Sequence, residues 1–155
     1  MPPQIGKPAP AFTLSSTSGA PVALKNLKGQ KVVLYFYPKD NTSGCTKEAC
    51  AFKGAHPDYS RAGAVVLGVS PDGLFSHEKF RGKYALPFPL LADEDHAVAE
   101  KYGVWKEKSL YGRQYMGIER TTFVIDTAGK ITRIFPKVKV EGHAEEVLAA
   151  VRACK

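Results

Sequence analysis

The sequence predicts an α/β fold in which parallel central strands and an antiparallel hairpin form one sheet. Two continuous apolar runs, KVVLYFY from Lys31 and AGAVVLGVS over residues 62–70, are typical of strands covered on both faces. A helical pattern lies between them, and this strand–helix–strand order favours a parallel, right-handed connection. The hairpin is predicted from RTTFVID and KITRIF, which flank TAG with Gly129 in the turn.

One short helix is predicted directly after the first buried strand. It lies within CTKEACAFKGAH, where Cys45, Ala49 and Phe52 recur at i, i+4 and i+7 and therefore share one face. We expect Pro57 to end this helix, because proline lacks the N–H that the helical ladder needs. The helix start follows the polar loop KDNTSG at the carboxyl end of a central strand, where sites in α/β sheets tend to assemble.

The remaining elements are predicted from shorter patterns. A small N-terminal hairpin is predicted from AFTL and PVALKNL, which lie on either side of SSTSGA. A helix is predicted from SHEKFRGKY, a short strand from FPLLAD and a short helix from DHAVAEKYGV, and we expect an irregular segment at WKEKSLYGRQYMGIE. A terminal helix is predicted from HAEEVLAAVRACK, with an apolar stripe of Val147, Leu148, Val151 and Cys154.

Length and composition restrict the class of protein. The chain has 155 residues, of which 44% are hydrophobic and 24% charged, so we expect one globular domain over residues 1–155. We find no signal-peptide pattern and no run approaching the ~20 apolar residues of a membrane span, which predicts a cytoplasmic protein without a membrane partner. The net charge is +7, but the basic residues are dispersed and no nucleic-acid-binding motif occurs, which argues against specific nucleic-acid binding.

Cys45 is the residue whose position best predicts chemical reactivity. On the first turn of a helix, a thiolate faces unpaired backbone N–H groups and the positive end of the helix dipole. Because the thiolate is the nucleophile, this position favours a reactive cysteine. The preceding loop adds Thr42, whose hydroxyl could donate to a bound oxygen, and Pro38, which restrains the backbone as the strand ends.

Several other functions remain open from the residues alone. A buried cysteine can be merely a small apolar residue. Zinc binding would have to use Cys45 and Cys50 with only His56 close behind, which is not a recognised four-ligand spacing. A hydrolase with a cysteine nucleophile needs a histidine base that a third group orients. A disulfide oxidoreductase or chaperone usually has the motif Cys-x-x-Cys, which is absent from the sequence. Four histidines occur without a local signature, and we expect each at the surface: His56, His77, His96 and His143.

Two segments, FYPKDNTSGCTKEACAF and GIERTTFVID, closely resemble the peroxiredoxins, in particular the bacterioferritin-comigratory or Q-type subgroup. The family pattern Pro-x-x-x-Thr-x-x-Cys matches Pro38, Thr42 and Cys45, and the similarity extends through nearly the whole chain. The segments PLLADEDHAVAEKYGVW and EKSLYGRQYMGIER also resemble this subgroup. One departure is that many members have proline before Gly44, whereas this chain has Ser43, which leaves the loop with more conformational freedom.

The resemblance implies a thioredoxin-like fold, with a central mixed sheet flanked by helices, and a thiol peroxidase that uses no metal, haem or flavin. Cys45 is then the peroxidatic cysteine, which a peroxide oxidises to a sulfenic acid. Thr42 corresponds to the peroxide-binding threonine and Arg120 to the active-site arginine. Glu48 corresponds to the glutamate that orients their hydrogen bonds, although an exposed carboxylate in the first helical turns is an alternative.

The resemblance also makes Cys50 the resolving cysteine. In a regular helix, five residues separate two Cα atoms by about 9 Å, whereas a disulfide needs about 7 Å or less. A Cys45–Cys50 bond therefore requires the first helical turns to unwind. Cys154, near the chain terminus, is the rival resolving residue, but its place on the apolar stripe favours packing. The implied substrates are hydrogen peroxide and alkyl hydroperoxides, the implied reductant is thioredoxin or a similar dithiol, and the implied state is a monomer.

Overall fold

The computed structural model describes residues 3–154, which form nine strands and four α-helices. Met1, Pro2 and Lys155, the ends of the predicted domain and of the predicted terminal helix, lie outside the described residues. The strands are β1 (Thr13–Ser16), β2 (Val22–Ala23), β3 (Lys31–Phe36), β4 (Ala64–Ser70), β5 (Leu90–Ala92), β6 (Trp105–Leu110), β7 (Arg113–Ile118), β8 (Thr121–Ile125) and β9 (Ile131–Phe135). The helices are α1 (Ser43–Arg61), α2 (Leu74–Tyr84), α3 (Ala97–Lys101) and α4 (His143–Ala153).

Seven strands form one mixed sheet in the order β2-β1-β5-β4-β3-β8-β9. Strands β3, β4 and β5 pair in parallel, while β8 pairs antiparallel with both β3 and β9. The predicted parallel centre and the predicted hairpin are therefore confirmed. Residues of β3 alternate between two cores: Val33 and Tyr35 face the layer that contains α1 and α4, whereas Leu34 and Phe36 face the opposite layer. Burial on both faces explains why β3 is a continuous apolar run.

The predicted end of α1 at Pro57 is wrong, because the helix continues through this proline to Arg61. Proline has no N–H, so the carbonyl of Lys53 lacks its helical donor, a defect that typically costs about 3 kcal/mol. Packing of the following turn offsets this cost. Tyr59 is fully buried, and its hydroxyl donates a hydrogen bond of 2.6 Å to the carbonyl of Ala144 in α4. Tertiary contacts thus override the local signal that proline gives.

The segment expected to be irregular forms a second antiparallel hairpin, so that prediction is also wrong. Strands β6 and β7 pair from Trp105 opposite Ile118 to Leu110 opposite Arg113. Tyr111 and Gly112 make the two-residue turn with φ values of 52° and 78°, the left-handed conformation that tight hairpin turns require. Most side chains of this hairpin are exposed, so its strands lack the apolar alternation that identifies a half-buried strand.

The other predicted elements are present, with two differences. The N-terminal hairpin is confirmed, but its second strand is short and Leu24–Leu27 forms a 3-10 turn.

The expectation of surface histidines is wrong for His77 and His143, which are buried with hydrogen-bond partners at both ring nitrogens. Cys154 is buried just beyond the end of α4. Within residues 3–154, no helix has the length and apolar character that crossing a membrane would require.

Candidate active site

Cys45 lies where the sequence predicts it, on the first turn of the helix that follows a central strand. Strand β3 ends at Phe36, and the backbone N–H of Tyr37 still donates to the carbonyl of Val69 at 3.0 Å. Half-buried Pro38 then begins the loop, and Thr42 occupies the N-cap of α1 with an extended backbone. Cys45 is the third residue of the helix and is 2% exposed. Its thiol therefore lies beside the backbone N–H groups that have no intrahelical acceptor.

The guanidinium of Arg120 contacts the thiol of Cys45. Its Nη2 donates to Cys45 Sγ at 3.3 Å, and its Nη1 donates to Glu48 Oε1 at 2.5 Å. The antiparallel register of the sheet explains the approach, because Phe36 at the end of β3 lies opposite Thr121 at the start of β8. Arg120 thus directly precedes β8, beside the point where the chain leaves β3 for α1. The guanidinium of Arg120 therefore donates hydrogen bonds to both the Cys45 thiol and the Glu48 carboxylate.

Glu48 is buried rather than exposed, which rules out the exposed-carboxylate alternative. It is 1% exposed, and burial raises its pKa to about 7, whereas the charge and hydrogen bonds of Arg120 act in the opposite direction. Burial lowers the pKa of Arg120, but Glu48 and Cys45 outweigh this effect and the net shift is upward. Arg120 therefore remains a cation. Glu48 Oε2 has no hydrogen-bond partner within residues 3–154, so the carboxyl group can hold a proton at that oxygen.

Gly44 provides the space that Arg120 occupies. A Cβ atom at this position would lie 3.3 Å from Arg120 Nη2, closer than most Cβ contacts. The glycine therefore allows the guanidinium to lie against the first turn of α1, next to the thiol. Ser43, the residue before it, is the first residue of the helix and is exposed.

Thr42 is placed in the loop beside this site, but its hydroxyl has a local partner. Its Oγ1 donates to the carbonyl of Lys39 at 2.9 Å, which closes the loop between β3 and α1. Thr42 is exposed, unlike Cys45 and Glu48. In this arrangement the hydroxyl proton is engaged by the loop, so donation to a bound oxygen requires the hydroxyl to rotate.

A buried polar network that sequence reasoning missed holds the same loop. The carboxylate of Asp40 accepts hydrogen bonds from the Tyr37 hydroxyl at 2.5 Å and the Ser76 hydroxyl at 2.8 Å, and it lies 2.7 Å from His77 Nδ1. The backbone N–H of Asp40 donates to Asp72 at 2.8 Å. These partners join the loop to α2 and to the end of β4. No local motif in the sequence connects Asp40 with a histidine 37 residues later.

Asp40, Asp72 and His77 of this network form a cluster of metal-ligand side chains, the one found in the described part of the chain. Ligand atoms of Asp40, Asp72 and His77 lie within 4.8 Å of one another. The second ring nitrogen of His77 lies 2.8 Å from the carbonyl of Leu91. Hydrogen bonds among these groups and to the backbone account for the arrangement, which ties the loop to the sheet.

Cys50 differs from Cys45 in its surroundings although both lie on α1. Cys50 is exposed and Cys45 is buried, and in the described part of the chain both are thiols that form no disulfide. The five-residue spacing puts them on different sides of an intact helix. The structure therefore brings Cys45, Arg120, Glu48 and Gly44 together and leaves Cys50 outside this group.

Comparisons with known proteins agree with this architecture and site. Residues 5–134 match the AhpC/TSA family. The putative peroxiredoxin bcp of Coxiella burnetii is 53% identical over 145 residues, which cover 94% of this chain and 96% of that protein. Peroxiredoxin Bcp of Bacillus subtilis is 47% identical over 149 residues, which cover 96% of this chain and 95% of that protein.

A solved structure is similar over the same region. It is the bacterioferritin comigratory protein of Xanthomonas campestris, described in connection with its alkyl peroxide reduction activity and a trapped intermediate/ligand complex. It superposes with a TM-score of 0.87 at 44% identity and covers 92% of this chain and 90% of that chain. This similarity confirms the expected thioredoxin-like fold. The chain belongs to the AhpC/TSA family as a peroxiredoxin of the bacterioferritin-comigratory or Q type, a thiol peroxidase that acts on hydroperoxides.

Proposed function

We propose that the protein reduces hydrogen peroxide and organic hydroperoxides with Cys45 as the peroxidatic cysteine. The observation that carries this assignment is the buried thiol of Cys45 on the first turn of α1, 3.3 Å from the guanidinium of Arg120. A helix N-terminus and a permanent cation both favour the thiolate, which is the reactive form. We place the activity in one domain, residues 1–155.

The first step is attack of the Cys45 thiolate on the terminal oxygen of the peroxide. A sulfur–oxygen bond forms as the O–O bond breaks, so sulfur is oxidised by two electrons and becomes a sulfenic acid. The displaced oxygen takes the bonding electron pair and a proton and leaves as water or an alcohol. Negative charge develops on this oxygen, and fixed donors placed there stabilise the transition state more than the ground state.

Arg120 and Glu48 are suited to provide that stabilisation. The Arg120 guanidinium presents several donors, and its bond to Glu48 fixes the plane in which they point. We assign Thr42 to hold the peroxide after its hydroxyl turns away from Lys39, and Gly44 and Pro38 to shape the loop. Glu48 then acts through Arg120 rather than on the peroxide.

Cys50 is proposed to resolve the sulfenic acid. Its sulfur attacks Cys45 sulfur, a disulfide forms and water leaves, after the first turns of α1 unwind. A dithiol such as thioredoxin then reduces the disulfide by two thiol–disulfide exchanges and becomes a disulfide itself. We further propose that the protein acts as a monomer in the cytoplasm.

Thioredoxin-coupled turnover of hydrogen peroxide, followed with mass spectrometry of the cysteines, tests this cycle. Cys45→Ser is expected to abolish peroxide consumption. Cys50→Ser is expected to consume one equivalent of peroxide, to leave a sulfenic acid on Cys45 that dimedone traps, and to stop. Cys154→Ser is the matched control and should behave like the natural protein. Full turnover by Cys50→Ser, without a Cys45–Cys50 disulfide in the unsubstituted protein, would reject the resolving role.

A further inference from the structure

Lys108 has an unusual position in the exposed hairpin formed by β6 and β7. It is half-buried, whereas its neighbours Glu107 and Ser109 are exposed. Its ammonium group makes no hydrogen bond or ion pair with another side chain of residues 3–154, although such a group is normally in water or paired. A half-buried cation that has no hydrogen bond or ion pair among the described residues suggests a role beyond hairpin stability.

Gly117 determines the direction in which the Lys108 side chain extends. Lys108 lies opposite Tyr115, and Gly117 is the diagonal residue on the same face of the hairpin. A Cβ atom at Gly117 would lie 3.3 Å from Cδ of Lys108 and 3.7 Å from its Cε. The lysine therefore crosses β7 over a residue that has no side chain. It extends toward the end of β7, after which the chain continues to Glu119 and Arg120.

The charge of Lys108 interacts with the thiol site at this end of the hairpin. Burial lowers the pKa of Lys108, and the charge of Arg120 lowers it further, whereas Cys45 and Glu119 act in the opposite direction. Arg120 shares its charge with Glu48 through their hydrogen bond, so part of the guanidinium charge is already balanced when Glu48 is ionised. Lys108 is a cation near the thiol that no carboxylate contacts within the described residues.

We propose that Lys108 is a second cation of the peroxide site, which acts across space to stabilise the Cys45 thiolate and the negative charge on the displaced oxygen. Among the described residues, Arg120 also interacts with Cys45 through its hydrogen bond, and the charge of Cys45 acts on the buried hydroxyl of Tyr35. Glu48 reaches Cys45 through Arg120. Tyr35 stays neutral because burial raises its pKa, so Lys108 is the cation that supplements Arg120.

Alkylation of Cys45 by iodoacetamide as a function of pH tests this role without depending on peroxidase activity. Lys108→Met retains the aliphatic chain that packs over Gly117 and removes the charge. Lys106→Met is the matched control, because Lys106 lies on the same strand, is exposed and changes the net charge equally. At pH 7 and 0.15 M salt we expect alkylation of Cys45 to slow by about 3–10-fold in Lys108→Met and to be unchanged in Lys106→Met.

The inference rests on Cys45 as the peroxidatic residue, and a second measurement separates the two proposals. The rate of hydrogen peroxide reduction should fall by the same factor in Lys108→Met, while Lys108→Arg should restore both rates. Equal alkylation profiles for Lys108→Met and Lys106→Met would overturn the role of Lys108. Peroxide turnover that survives Cys45→Ser would instead overturn the proposed function, whatever the alkylation profiles show.

Discussion

The two halves of α1, residues 43–51 and residues 52–61, are held to the rest of the protein by different kinds of contact. In the first half, Cys45 and Glu48 are buried polar groups held through Arg120, and Cys50 is exposed. The second half is anchored to α4 by apolar packing and by the bond from Tyr59 to Ala144. Polar contacts that depend on charge can be lost when the charge changes, whereas buried aromatic packing cannot be removed without a large cost.

The difference indicates where local unwinding in the proposed cycle should stop. Oxidation of Cys45 to a sulfenic acid removes the thiolate charge and weakens its bond from Arg120. Phe52 marks the other side of the boundary, because it is fully buried and stacks on Tyr35 with ring centroids 4.7 Å apart. Unwinding that ends before Phe52 frees both cysteines and leaves the aromatic core intact. Pro57 interrupts the helical hydrogen-bond ladder beyond this point.

Removal of the charge on Arg120 should have the largest effect, and only on the first half of the helix. We expect Arg120→Met to lower the rate of Cys45 oxidation by hydrogen peroxide by about 10²–10³-fold, because the donors at the displaced oxygen are lost. Stopped-flow fluorescence of Trp105 or competition with a second peroxidase measures this rate. Arg113→Met is the control, since Arg113 is exposed in β7. A loss below threefold would contradict the assigned role of Arg120.

Glu48 should make the stability of the fold depend on pH. Its pKa is about 7 in the folded protein and 4.5 as a reference for the unfolded chain, so between these values the folded protein binds more protons. The free energy of unfolding therefore falls as pH rises from about 4.5 to about 7, by about 1–3 kcal/mol, and then levels off. Urea unfolding at pH 5 and pH 8 measures the change. Glu48→Gln should lack this decrease, and an equal decrease in that variant would contradict the assignment.

A methyl group at Gly44 should affect the chemistry without weakening the helix. Gly44→Ala places Cβ against Arg120 Nη2, and we expect a loss of about tenfold in the rate of Cys45 oxidation as the guanidinium moves. Gly54→Ala is the matched control on the same helix, because its Cβ has no atom of the described residues within 4 Å. Both variants should gain helix propensity, which thermal unfolding would show. Equal oxidation rates in the two variants would mean that Gly44 does not position Arg120.

Loss of the Tyr59 hydroxyl should have the smallest effect and should be confined to the second half. Tyr59→Phe leaves the carbonyl of Ala144 without this donor, so we expect the free energy of unfolding to fall by about 1 kcal/mol. The rate of Cys45 oxidation should not change. A slower oxidation rate at unchanged folding would show that the two halves of α1 are coupled and would contradict their independence.

The predictable elements are those whose information is local. Residues Val32–Phe36 are buried on both faces and appear in the sequence as a continuous apolar run. Local apolar patterns did not predict the hairpin β6–β7 or the continuation of α1 through Pro57. The hairpin is mostly exposed and has no apolar alternation, and the last turn of α1 depends on Tyr59 packing against α4.

Some residues of the candidate site could be predicted from local sequence patterns, and others could not. The strand, loop and helix patterns place four of its residues together because they lie within residues 38–45: Pro38, Thr42, Gly44 and Cys45. The involvement of Glu48 and Arg120 could be anticipated only from the resemblance to a family. The contact between Asp40 and His77 could not be predicted from the sequence. A single sequence contains no local pattern that distinguishes a buried histidine from a surface histidine.

The sequence by itself determined a cysteine on the first turn of a helix behind a buried strand, because apolar runs, proline and turn residues act over a few positions. Only the tertiary structure decided which cation meets that cysteine. Arg120 lies 75 residues after Cys45, and the pairing of Phe36 with Thr121 brings it to the start of α1. Sheet register is a property of the packed core, in which a shift by one residue would turn every side chain of β8 to the other face.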